Sequence, residues 1–194
     1  MKRITLIYTL FFLLLILTLT SAEIPINQPA TPAEDKEKSL VAFQTVLKVL
    51  KDPRCMNCHP SDDYPRQGND QHIHLFKVQR GANNDGGALQ KCQSCHQKEN
   101  NAYTNVPGAP HWTLAPKSMG WIGLSDVEIG QRLVDKKMNG NRSPEDLVKH
   151  MTEDPLVLWG WKPGGERTPV AVPFDEFKKA LETWLANGAH VPSK

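Results

Sequence analysis

The chain has four cysteines in two pairs, Cys55-Met56-Asn57-Cys58-His59 and Cys92-Gln93-Ser94-Cys95-His96, with none left over. Each pair is spaced Cys-x-x-Cys and followed directly by histidine. Thiols three positions apart sit on neighbouring turns of a short helix, where each can form a thioether to one vinyl group of a single porphyrin. The histidine that follows then offers its imidazole to the iron as proximal ligand. The pattern predicts two covalently bound haem c groups, attached through Cys55, Cys58, Cys92 and Cys95, with His59 and His96 as proximal iron ligands.

Three other chemistries use the same residue types. A zinc site also takes Cys-x-x-Cys pairs, but the gap from Cys58 to Cys92 exceeds the roughly 15–20 residues usual between them. Two disulfides suit an exported chain. A thioredoxin-like redox pair needs a βαβ context, which the pattern lacks.

Export is written into the first 22 residues. Lys2 and Arg3 precede an apolar run from Ile4 to Leu19, and Thr20-Ser21-Ala22 offers a small-residue cleavage site. The run is short for a membrane span of about 20 residues, so no stable span is expected unless the signal stays uncleaved. With cleavage near Ala22 the expected location is the periplasm, where bacteria attach haem to such motifs.

The sixth iron ligand separates electron transfer from catalysis. A second imidazole or a thioether gives a low-spin carrier, and an empty position admits peroxide or a small gas. The candidate distal ligands are His74, His150 and His111, in that order. His74 lies between the motifs on an alternating segment that also carries its rival His72. His150 is on the apolar side of a capped helix. His111 follows Pro110 in a stiff loop, Met119 is the best thioether, and His190 reads as a surface residue. Trp112 and Trp121 are expected to pack on haem.

The elements that must position these residues read as mostly α: short helices and long loops wrapped around two haems. Residues 23–38 are expected to be a flexible linker, and 39–194 the dihaem domain. Leu40, Phe43, Val46, Leu47 and Leu50 predict a helix from Ser39 to Lys51. Ser125 with Glu128 caps a helix running to about Met138, whose inner face is Ile129, Leu133 and Val134. Ser143, Pro144 and Asp146 open another that Pro155 stops, ahead of an aromatic loop at 159–165. The last helix runs from Phe174 to about Asn187, with Gly188 behind it. The formal charge of +2 gives no case for nucleic acid, and hydrophobic content is only 39%. Porphyrin faces would complete so thin a core.

The two motifs resemble dihaem c-type cytochromes. Three further stretches resemble bacterial exported proteins labelled isoquinoline 1-oxidoreductase subunits: Val106-Pro107-Gly108-Ala109-Pro110-His111-Trp112, Met119-Gly120-Trp121-Ile122-Gly123-Leu124-Ser125, and His150-Met151 through Asp154-Pro155 to Trp159-Gly160-Trp161. The resemblance implies an electron carrier among redox partner proteins, with a molybdenum hydroxylase as the partner it suggests. No molybdopterin, iron–sulfur or flavin motif is present, so the chain does not read as the oxidoreductase itself. The alternative is a small dihaem peroxidase with one open site, for which Glu128, Glu145 and Glu153 are the nearest acids.

Overall fold

The computed structural model describes residues 31–193; the targeting segment and the first part of the expected linker lie outside the described residues. Helix α1 runs Pro32–Leu50, so it begins well before Ser39. Its start is a capping box: Thr31 N–H donates to Glu34 Oε2 at 2.6 Å and Glu34 N–H to Thr31 Oγ1 at 3.3 Å, with Pro32 in the first turn. The charge run 34–38, expected as linker, is therefore the exposed opening of the helix. Glu34 and Asp35 sit where the helix dipole favours acids. Ser39, expected as the cap, is fully buried; its Oγ donates to Trp184 O at 3.0 Å and accepts from His190 N–H at 2.9 Å.

Those bonds tie α1 to the last helix. Short α2 (Pro53–Met56) follows α1 and carries Cys55; Asp52 caps it by accepting from Arg54 N–H at 2.8 Å. Then come α3 (Asp126–Val134), α4 (Pro144–Glu153), α5 (Pro155–Leu158) and α6 (Phe174–Ala186). Phe177, Ala180, Leu181 and Trp184 of α6 pack on α1, where the Phe43 and Trp184 rings stack with centres 5.0 Å apart. The core cluster joins α1, α3, α4 and α6 with Met119, Trp121 and Val170, and Cys55 and Met56 pack against it.

Both expected capping boxes form, Ser125 with Glu128 and Ser143 with Asp146. Helix α3 ends at Val134, short of Met138, because Asp135 turns extended and its carboxylate accepts from Lys137 N–H at 2.9 Å. Val134 is exposed, while Ile129 and Leu133, four apart, share the buried face. Asp154 ends α4 and caps α5 by accepting from Leu156 N–H at 2.9 Å, so the start of the expected aromatic loop is helical through Trp161.

The long middle stretch has little regular structure. Strand β1 (Arg66–Gln67) pairs antiparallel with β2 (His72–Ile73), and β3 (Gly86–Gly87) with β4 (Gln90–Lys91). Buried Arg80 crosslinks it: its guanidinium donates to the carbonyls of Pro60, Asp62 and Ala115 and to Asn84 Oδ1. The fold is mostly α with few strands. No described helix is long and apolar enough to cross a membrane.

Candidate functional site

The first motif winds from α2 into two further turns, with Cys58 N–H donating to Cys55 O and His59 N–H to Met56 O, both at 3.1 Å. This sets both thiols and the imidazole on one short helical path. His59 Nδ1 donates to the Met119 carbonyl at 2.7 Å, which leaves Nε2 as the free nitrogen. A carbonyl on Nδ1 is how a ligating histidine is oriented and made more basic. Trp121 stacks on the same imidazole, with ring centres 3.6 Å apart and planes 11° apart.

The second motif repeats this scheme. His96 N–H donates to Cys92 O at 2.9 Å, and its Nδ1 donates to the Pro107 carbonyl at 2.8 Å. Trp112 stacks on His96, centres 4.4 Å apart and nearly parallel. In both cases a glycine directly follows the residue whose carbonyl accepts this bond. A Cβ on Gly120 would lie 2.6 Å from Pro60 O, and one on Gly108 would lie 2.1 Å from Glu99 O. Only glycine lets each carbonyl strand lie on the backbone leaving its motif. Trp112 and Trp121, expected to pack on haem, stack on the histidines of the two motifs.

His74 is brought to the second motif. Its ring centre lies 6.0 Å from that of His96, with the planes 75° apart. His74 Nδ1 donates to Leu75 O at 2.5 Å, so both rings have their Nδ1 occupied and their Nε2 free. With a metal–imidazole distance of about 2 Å and a ring centre roughly 1 Å behind the nitrogen, two imidazoles trans on one iron have centres about 6 Å apart. The pair has that spacing. His72, its rival, turns away and pairs with Asp70 at 2.7 Å, which lowers the Asp70 carboxyl's pKa.

His150 and His111 come instead to the first motif. Both line a cavity of about 270 Å³ with Cys55, Cys58, His59, Leu147, Met151 and Trp159. His150 Nδ1 faces Asp154 Oδ2 at 3.3 Å, which leaves its Nε2 unpaired and holds the Asp154 carboxyl below its ordinary range. His111 is exposed, with a left-handed backbone at φ 59°. Met119 supplies its carbonyl to His59 Nδ1, and the residue lines the same cavity. His190, expected at the surface, is half-buried, and its carbonyl accepts from Trp184 Nε1 at 2.9 Å.

Burial keeps these groups neutral. It pushes His59 down to about 4 and lowers His96, and a neutral imidazole is the metal-binding form. It raises the Cys55 and Cys92 thiols, and it pushes Cys58 up to about 11, helped by the neighbouring Cys92. A dithiol built for redox exchange has the opposite bias, toward thiolate. Among the described residues no three His, Cys, Asp or Glu side chains converge on one point. A porphyrin iron asks the protein for only two axial groups, since the macrocycle fills the other four positions.

An aromatic path joins the sites. Trp112, stacked on His96, meets Trp159 edge-on at 5.0 Å, and Trp159 lines the first cavity. Motif spacing located the cysteines and histidines. It missed the Met119 and Pro107 carbonyls and the Asp154 carboxylate, which only the folded backbone brings into reach. No known protein family, curated protein or solved structure matches the chain.

Proposed function

We propose that the protein is a periplasmic dihaem c-type cytochrome that carries electrons between redox partner proteins. The observation that supports this most is the His74–His96 pair: two imidazoles 6.0 Å apart, each with Nδ1 tied to a backbone carbonyl. A bound haem supplies a reversible one-electron couple at its iron. The chain's part is to hold that couple still. Cys92 and Cys95 anchor one group, with His96 proximal and His74 distal. Cys55 and Cys58 anchor the other, with His59 proximal and His150 distal, Asp154 orienting the latter. Among the distal candidates, His150 is better supported than His111, because a carboxylate fixes its tautomer and its charge is felt at His59. Two fixed axial ligands keep an iron low-spin and limit its movement on oxidation. Trp112 and Trp159 fill the space between the sites with polarisable rings.

The partner class follows from the resemblance alone: a molybdenum hydroxylase or a comparable oxidoreductase. The peroxidase alternative has one observation in its favour. If His150 stays off the iron, the His150–Asp154 pair in the first cavity has the form of a distal acid–base pair. Glu128, Glu145 and Glu153 do not line that cavity.

The test is the visible spectrum of the exported protein, with haem quantified in alkaline pyridine. The expected result is two covalent haems per chain, low-spin in both oxidation states. A high-spin component with peroxide turnover would favour the enzyme. Absence of haem would defeat the proposal.

A further inference from the structure

Trp121 is only 2% exposed, yet its indole Nε1–H is buried with no hydrogen-bond acceptor. A buried donor left unpaired has lost its water without gaining a partner, which is unfavourable. Other indoles of the core avoid this: Trp161 donates to Val172 O at 2.8 Å and Trp184 to His190 O at 2.9 Å. Trp121 lines the first cavity, and so does Arg142. Their segments adjoin, because Ser118 Oγ donates to Met138 O at 2.7 Å and Arg132 holds the carbonyls of Ser118 and Gly120. Arg142 is braced by donating to Asn139 O at 2.7 Å. The carboxylate that lines this cavity, Asp154, faces His150. The cavity therefore offers an unused N–H and a cation to a ligand that brings an acceptor.

We propose that the Trp121 indole N–H and the Arg142 guanidinium anchor a carboxylate in the first cavity, a propionate of the haem carried by Cys55 and Cys58. The assignment rests on the haem reading of that cavity. A porphyrin's ring nitrogens are taken by iron, so its propionate oxygens are the acceptors it can present to an N–H donor. Trp121 and Arg142 are positioning residues. They set the orientation of the group and part of the charge around it.

The test uses the holoprotein. W121F keeps a ring to stack on His59 and removes the N–H together with the second ring of the indole; R142Q removes the cation from a different segment, leaves the indole whole, and keeps the test open if W121F does not fold. Covalent haem content, both reduction potentials and the propionate bending bands in resonance Raman are read together. The expected result is two haems per chain in each variant, with one potential shifted negative and one propionate band displaced. Less compensation of the carboxylate favours the ferric state, and the second haem stays unchanged. Two haems with unaltered potentials and bands in both variants would overturn the anchor alone. A wild-type protein without haem would overturn the haem reading and the anchor with it.

Discussion

The two Cys-x-x-Cys-His regions share one local plan and sit in opposite surroundings. Each sets its histidine against a carbonyl, a glycine-permitted strand and a stacked tryptophan. The first leans on the helical core, where Cys55 and Met56 pack against the main cluster and four of the six described α-helices supply its walls. The second rests on turns and two-residue ladders, with Cys95 exposed and Ile73, Leu75, Phe76 and Leu89 of the nearby chain open to solvent. Identical chemistry can thus be mounted on a core or on a loop. The difference lies in how much of the fold depends on it, and in how far each site is open to a partner.

Breaking one attachment at a time sharpens the contrast. C55A/C58A removes apolar surface from the core, and its unfolding free energy is expected to fall by on the order of 5 kcal/mol. C92A/C95A should cost less than about 2 kcal/mol. Denaturant titration of the two variants, each with its haem count, checks this. Equal losses would erase the distinction.

W184A tests the core that supports the first motif. Trp184 is fully buried between α1 and α6, and truncation should cost about 3–5 kcal/mol. The spectrum of the second haem should not change, which a titration followed by difference spectroscopy would show.

H150A should turn only the first haem high-spin. Its cost is about 1–3 kcal/mol, from the carboxylate of Asp154 losing its imidazole partner while keeping the Leu156 N–H. If H150A instead alters the second haem, the ligand assignment is reversed. The smallest effect is expected for S143A, about 1 kcal/mol from the lost cap of α4, with both haem spectra unchanged.

How legible these regions were in the sequence follows the same division. The amphipathic stripes of α1 and α6 and the capping boxes at Ser125 and Ser143 are local signals, and they gave those elements to within a few residues. The start of α1 was misplaced because the polar run 34–38 reads like a linker, although Thr31, Pro32 and Glu34 already carry a start signal. The extra turns after Pro155 escaped because Asp154 both ends one helix and caps the next. At the sites, the two Cys-x-x-Cys-His segments were readable from spacing. Which distal histidine faces which motif was not, since His74 reaches His96 and His150 reaches the first cavity through long-range packing. Trp112 and Trp121 were singled out as haem-packing residues from their neighbourhood in the sequence alone. In the fold their rings stack on His96 and His59.

The central claim is that His74 and His96 face one iron with near-perpendicular planes. Low-temperature electron paramagnetic resonance of the fully oxidised protein and of H74A tests it most directly. Perpendicular imidazoles leave the iron orbitals nearly degenerate, so the wild type should give a low-spin ferric signal with one unusually large g value. In H74A that signal should vanish and a high-spin ferric signal take its place. A wild-type spectrum carried through H74A unaltered would contradict the account.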